Sequence, residues 1–559
     1  MAFPEDAGIT VPSGLIFGPG ADGTARAANT AAINTALQAY PVVLLPAQTI
    51  YCSGAIEIPY GVELRGATFN PSYVPANTDF YRTTLVFPAT LSSCVVIKQT
   101  DPIQNTPLAI SNIHISREAM PISPTTEAYG IDIEGGYNVR IENVMVSRQY
   151  VGYRFKTNIE DSAGISAKIT GIYSAAISKA HILIDSWPEL YITGGRLGQS
   201  GPGDVACTSF IRVTGGSGPE GGAQGPNTIF INQVQFNQSD ASVTNWLEFN
   251  NLVNVFANAR LFKFEECYIE NITGSFIAAT GSTPSIADLT VNNCSMLDQR
   301  AKLMSLPKAT AALDNVTFSS CGIACSGFTL NQDKTITNLI FSSCYITVPL
   351  ISPTVAGTAA DLNLRNHSTV RFSDTSFGGN VYIAGDLTSV LQFSNPIFTA
   401  GSFQLRPRAD RKLITFISNF GAETDAIGLS INGNSTGFIH SFKTAAWQFS
   451  GNKVEIDFRI GITARPTSPT GQVAIGKLPV PFDLDHYGQG AGGGIVTLMD
   501  NVTGLTSPMV LSPTVIGGDA LYMGLWMSSS TGLAPVTNAN LNPSTANPTR
   551  LFGTLSYTF

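Results

Sequence analysis

Five short segments share one pattern: GIDIE (130–134), GYRFK (152–156), HILID (181–185), FIRVT (210–214) and WLEFN (246–250). Aligned, they put Asp132, Arg154, Leu183, Arg212 and Glu248 in one column. Glu134, Lys156, Asp185, Thr214 and Asn250 fall in a second column two residues on. In stacked strands, residues two apart share a face, so both columns point outward together. Carboxyl groups so arrayed are the equipment of glycoside hydrolysis, in which one protonates the leaving oxygen and the other activates water or attacks. The catalytic candidates are Glu134, Asp185, Asp132 and Glu248. Glu134 and Asp185 would stand two rungs apart, roughly 9 to 10 Å between backbones, near the spacing of inverting enzymes. Asp132 and Glu134 would stand roughly 7 Å apart on one strand. Arg154, Lys156 and Arg212 are substrate-binding candidates, able to hold carboxylates ionised or to grip an anionic sugar. Trp187, Tyr137 and Tyr191, in or beside the adjoining turns, offer rings for sugar stacking. A lyase would use the same cations to neutralise a uronate carboxyl beside a proton-abstracting base. Against all of these stands the plain alternative of a solvated charge ladder that keeps a sheet in water. Glu160, Asp161, Asp204, Glu220 and Glu266 are rival carboxylates, mostly in loops.

The scaffold that would position these columns is written as a repeat. Its copies are LAISNIHI (108–115), VRIENVMV (139–146), AKITGIYS (167–174), LYITGGRL (190–197), IFINQVQF (229–236), FKFEECYI (262–269), LTVNNCSM (289–296), AALDNVTF (311–318), LIFSSCYI (339–346) and VRFSDTSF (370–377). Successive copies begin roughly 22 to 39 residues apart, as in a solenoid with variable loops. The central position holds Asn112, Asn143, Gly171, Gly194, Gln233, Glu266, Asn293, Asn315, Ser343 and Asp374. Asn, Gly and Asp dominate it, and they tolerate a left-handed backbone best. The positions two before and three after are almost wholly apolar, the mark of strands with one buried face. Cys267, Cys294 and Cys344 sit where other copies carry Val or Ile, which makes them reduced core residues. The charged segments supply a third strand per turn, so the coil is triangular, and parallel crossovers make it right-handed.

Composition excludes several classes. Charged residues are 13% of 559, and the net charge is −8 with pI near 5.2. No basic footprint for nucleic acid is present. The N-terminus, MAFPEDAGITVPSG, lacks the basic and apolar regions of a secretory signal, and no apolar run is long enough for a membrane span. Eight cysteines in so long a chain do not form a disulfide scaffold, and five scattered histidines form no metal motif. Neither a metal nor another cofactor is expected. The glycine-rich stretches 215–227 and 488–494 read as loops, since no Lys-Ser/Thr signature follows them.

The entry segment carries a run DGT (22–24), a helix-like NTAAI (29–33) that Asn29 or Thr30 can cap, LPAQTIY (45–51) and IPYGVELRG (58–66). In this order it resembles the entry to the pectate-lyase-like β-helix family, where the helix covers the open end of the core. Near residue 400 the pattern changes to longer alternating strands. Ser435, Thr436, Gly437, Trp447, Gly451, Asn452, Val454, Thr470, Gly471, Val473, Ile475, Leu478 and Pro479 resemble a C-terminal domain of phage tail fibres and tailspikes. The closing LFGTLSYTF (551–559) is similar to the ends of such proteins. The expected fold is all-β: a right-handed parallel β-helix with a short N-terminal capping helix and a C-terminal antiparallel β-sandwich. Expected divisions are 1–20, an attachment segment; 21–70, helix and first strands; 71–400, the β-helix body; and 401–559, the sandwich. The resemblance implies a homotrimeric virion component of a phage tail, assembled in the host bacterial cytoplasm, that recognises and depolymerises a bacterial surface polysaccharide by hydrolysis. A non-catalytic receptor-binding fibre and a lyase on the same fold remain open. It also implies partners among other tail or baseplate proteins through the N-terminus, unless a longer chain has been trimmed there.

Overall fold

The computed structural model describes residues 8–17, 22–59, 61–71, 82–98, 108–121, 127–135, 138–156, 166–199, 205–214, 228–238, 243–250, 261–280, 285–305, 312–326, 336–347, 362–364, 369–378, 381–385, 390–394, 397–400, 403–405, 415–417, 419–424, 428–431, 437–450, 453–467, 471–476, 478, 492–503, 509–516, 519–529 and 532–558. The chain divides into two compact units, Met1–Lys334 and Thr335–Phe559.

In the first unit, three columns of short parallel strands coil into a β-helix. In one column Ile141, Ile169, Ile192, Ile231, Phe264 and Val291 pair rung to rung. In the next, Val146, Ser174, Leu197, Phe236, Ile269, Met296 and Ile323 do the same. The third stacks Ile131, Tyr153, Ile182, Ile211, Leu247, Ile277 and Met304. All of these side chains are buried, so like stacks on like and the core is a set of apolar ladders. The bend between the first two columns is made by left-handed residues: Asn112 (φ 56°), Asn143 (52°), Gly171 (70°), Gly194 (70°), Gln233 (57°), Glu266 (53°) and Asn293 (50°). These are the positions expected from the repeat.

The copy expected at 311–318 is displaced. Val316 pairs with Leu289 and Phe318 with Val291. Ser320 (φ 52°) therefore takes the turn column after Asn293, while Asn315 (φ 53°) aligns with Asp288 (φ 51°) in an earlier bend. Two left-handed residues five apart, each flanked by alternating strands, make the register degenerate to pattern alone. The shift places Cys321 in the column of Cys267 and Cys294. All eight cysteines are free and buried.

The helix spans Gly23–Ala39 and is capped by Asp22, whose carboxylate accepts from Ala25 N at 2.8 Å. It starts about two turns before the caps expected at Asn29 or Thr30. Asn29 is instead buried and bonds Ile16 N, Ile16 O and Tyr51 O at 2.8–2.9 Å. Ala25, Ile33, Ala36 and Leu37 turn inward, against the first coils. Among the described residues, no helix is long and apolar enough to cross a membrane.

Several polar groups inside the coil find partners within it. His114 Nε2 meets Ser147 Oγ at 2.8 Å. Tyr153 donates to the carbonyls of Val144 and Tyr173 at 2.8 and 2.9 Å. His181 Nδ1 meets Ser174 Oγ at 2.7 Å, with its ring 4.9 Å from that of Phe210. Gly152 is obligatory beside it, since a Cβ there would lie 2.6 Å from His181 O.

In the second unit, parallel strands form three further columns. Ile336–Ser342, Thr369–Ser373, Val390–Ser394 and Thr415–Ile417 make one; Tyr345–Thr347, Ser376–Gly378 and Ile397–Ala400 the second; Leu362–Leu364, Val381–Gly385 and Phe403–Leu405 the third. From Asn419 onward the strands are antiparallel. Among the described residues ten of them form one curled antiparallel sheet. Lys453–Ala464 alternates strictly at first, burying Val454, Ile456, Phe458 and Ile460.

Full burial pushes the His181 imidazole down to about 3. An unfolded histidine protonates near 6.5, so this group contributes stability fully present above about 6.5 and progressively lost as the pH falls toward 3. The full contribution is ~5 kcal/mol. Chemical denaturation across this window is expected to show falling stability for the native chain and a shallower fall for His181→Leu. Equal slopes would mean that His181 is not buried neutral.

Candidate functional site

The outward columns of the third strand stand in the expected register. Asp132 pairs with Arg154, Arg154 with Leu183, Leu183 with Arg212, and Arg212 with Glu248. Glu134, Lys156, Asp185, Thr214 and Asn250 align in the same way two residues on. Adjacent rungs are roughly 4.8 Å apart, so the face is a close-spaced row of charge.

Arg154 organises its upper end. Its guanidinium donates to Asp132 through Nε (2.6 Å) and a terminal nitrogen (2.9 Å), and that nitrogen also donates to Glu134 at 2.7 Å. It lies 4.0 Å over the Tyr129 ring. Tyr129 in turn donates to Glu127, and Ser93 donates to Asp132 at 2.8 Å. Burial pushes the Asp132 carboxyl up, while Arg154 and Ser93 pull it back. With both oxygens engaged and 5% exposure, Asp132 is built to hold Arg154 rather than to meet a substrate. Glu134 keeps an edge toward solvent: its side chain is 18% exposed.

Two rungs below Glu134, Asp185 accepts from Thr214 Oγ1 at 3.2 Å. Burial raises its carboxyl above the usual range, against the charges of Lys156 and Arg154. Lys156 occupies the rung between Glu134 and Asp185. This pair brings together a carboxylate bonded by an arginine and a carboxyl raised by burial, with a lysine on the rung between them.

Glu248, at the lower end, is closed off. It is 3% exposed, accepts from Ser209 and from Thr280 (2.7 Å), and pairs with Arg212 at 3.7 Å. Lys179 lies close enough for burial and the charge of Arg212 to lower its ammonium. This cluster anchors the strand ends and leaves the carboxylate no free oxygen.

The aromatic candidates do not gather there. Trp187 is wholly buried, with its indole donating to Glu189 O at 2.7 Å and its ring 5.7 Å from Phe155. Expected to stack on sugar, it fills the core instead, because the turn carrying it folds inward. Tyr191 lies on the first column, between Lys168 and Phe230, away from the carboxylates. Tyr137 lies outside the described residues, as do Glu160, Asp161, Asp204 and Glu220. Glu266 sits at a turn of the first column and accepts from Gln233 at 2.8 Å. Residues not anticipated are Ser93, Tyr129 and Ser209. They share one column, three residues before the charged one. A third alignment position would have shown it.

No protein-family model matches the chain, and no curated protein matches it. Solved structures do. The chain is similar to a mutant tailspike protein of E. coli bacteriophage HK620 at 9% identity and TM-score 0.49, over 97% of this chain and 90% of that one. It is similar to a tailspike of Acinetobacter baumannii bacteriophage Fri1, described as a capsular polysaccharide depolymerase, at 12% and 0.41, over 99% and 84%. A GH87 α-1,3-glucanase catalytic domain is similar at 12% and 0.39, over 75% and 69%.

Arg154→Leu leaves Asp132 buried and unpaired and is expected to destabilise the fold by about 3–5 kcal/mol, whereas Arg154→Leu with Asp132→Leu recovers most of that loss. Denaturation of the single and double variants checks it. A double variant no better than the single would show that the pair is not the unit of stability.

Proposed function

We propose that this chain is a phage tailspike that binds and depolymerises a bacterial surface polysaccharide by hydrolysing a glycosidic bond. The observation that carries the reading is the outward column Glu134–Lys156–Asp185 on a flat parallel face. A polymer laid along the coil meets the carboxyls in turn. Glu134 and Asp185, two rungs apart at roughly 9 to 10 Å between backbones, leave room for a water molecule, as inversion requires. Asp185, raised by burial, serves as the general acid. Glu134, held by Arg154, serves as the base. Arg154 is a positioning residue, and Lys156 grips the sugar between the two carboxyls.

The antiparallel sheet of the second unit supports a homotrimer in this reading. Its outer face exposes Phe442, Ile495, Leu498 and Val510, and Ile495 pairs with Val510 across neighbouring strands. Self-association would cover these side chains. The N-terminal segment then meets other tail proteins of the virion. Sedimentation of the purified chain is expected to give three times 59.1 kDa; a monomer mass at micromolar concentration would remove the trimer from the reading.

Digestion of the host's surface polysaccharide is expected to yield shorter chains with new reducing ends and no ultraviolet rise. Glu134→Gln and Asp185→Asn should each slow it by about 10²–10⁴-fold. Because the acid must carry its proton, the rate falls as the pH rises through the Asp185 pKa. An ultraviolet rise would mean a lyase. Binding without shortening would mean a non-catalytic receptor fibre, and undiminished cleavage in both variants would move the active site elsewhere.

A further inference from the structure

A second cleft lies on the second strand column, away from the carboxylate row. It has a volume of about 390 Å³ and is lined by Pro71, Tyr173, Gly195, Arg196, Gln199, Gln233 and Gln235. That volume falls within the roughly 300–1,000 Å³ of small-ligand sites. Tyr173, Arg196 and Gln235 occupy three successive rungs in register, so they form a row roughly 10 Å long. Gly195 makes the floor. Where other rungs carry Val or Ile, it adopts φ +118°, and a Cβ there would lie 2.0 Å from Ile172 O. Gln199 is set just past the strand by its backbone bond to Ser174 O at 2.8 Å.

Two lining atoms are unspent. Arg196 Nε and Gln199 Oε1 are shut off from solvent and have no hydrogen-bond partner among the described residues. A buried donor and a buried acceptor left open in this way each cost free energy unless a ligand fills them. The guanidinium, the charged group among the lining residues, matches a carboxylate by its planar fork. The amides of Gln233 and Gln235 add donors and acceptors, and the Tyr173 ring offers a face for a pyranose. No carboxylate is among the described lining residues.

From this we propose that the cleft is a non-catalytic binding site for an acidic sugar residue, with the carboxylate on Arg196, hydroxyls on Gln199, Gln233 and Gln235, and the ring over Tyr173. It rests on the reading of the chain as a polysaccharide-binding protein and adds the class of sugar: a uronic or similar carboxylated pyranose. A polymer carrying such residues would be held on one face while the other cuts it.

The test is saturation-transfer NMR on the full chain with methyl β-D-glucuronide and its neutral twin, methyl β-D-glucoside. Transfer to the glucuronide is expected, with at least tenfold weaker binding in Arg196→Gln, intermediate binding in Arg196→Lys, and weak transfer to the glucoside. Melting temperature is measured on each variant to show that the fold is kept. No transfer in the wild type, equal binding in Arg196→Gln, equal binding of the glucoside, or full competition by inorganic phosphate would each overturn the site. Wild-type protein that shortens host polysaccharide yet fails with the glucuronide removes this site and leaves the functional reading intact. Glucuronide bound through Arg196 by a chain that neither binds nor shortens host polysaccharide does the reverse.

Discussion

In-register parallel pairing at one strand spacing per turn is the constraint on which the molecule depends. It forces every side chain to stand over the equivalent side chain of the next coil, roughly 4.8 Å away. Inside, this turns single isoleucines and phenylalanines into continuous apolar ladders such as Ile141 to Val291. Outside, it brings charges close to one another whatever their sign. The register itself is set at the bends. A left-handed residue at Asn143 or Gln233 fixes where one strand stops and the next begins, and a one-residue slip would turn the apolar set outward.

The cost of that geometry falls on the charged columns. Asp132 and Glu134 share a strand face and would repel, yet the next rung places Arg154 between them and the coil. The guanidinium satisfies both carboxylates and lies against Tyr129. A buried ion pair of this kind is weak evidence for stability, because desolvation offsets much of the attraction. What it does supply is position: Glu134 is held by Arg154 at the edge of the face. Arg212 and Glu248 repeat the device two rungs below Asp185, but there Ser209 and Thr280 close the network. The same column thus carries a sealed carboxylate at each end, Asp132 and Glu248, while Glu134, two residues on from Asp132, keeps an edge toward solvent.

This explains what could be read from sequence. The coil was legible because its signals are periodic: two-residue alternation, a left-handed residue at the bend and the recurrence of both. The outward columns followed from the same alignment and stand in the expected register. Single residues at bends were not legible. Trp187 follows Ser186, itself left-handed at φ 59°, and nothing in the local letters says whether the chain then turns its ring inward or outward. The copy at 311–318 failed because Asn315 and Ser320 both satisfy the bend, and only pairing with 285–292 decides between them. By residue type Asn29 and Thr30 are as good helix caps as Asp22, and the need for Asn29 inside the fold is visible only in three dimensions.

In the proposed reading, two of the three outward faces of the coil divide the chemistry that a long polymer requires. The third column concentrates carboxyls in unlike environments, and burial raises that of Asp185. At its cleft the second column offers Tyr173, Arg196 and glutamine amides. Cutting and holding make opposite demands on a protein surface. An acid and a base must be able to exchange protons with water, whereas a grip improves as its polar atoms are shielded from water until the sugar arrives. A β-helix meets both demands at little structural expense, since the inward residues of each rung set the core and leave the outward residues of each face free to vary on their own. Gly195 shows how small the required change is: one residue of the core column is given up, the backbone sinks toward Ile172, and a flat sheet acquires a cleft.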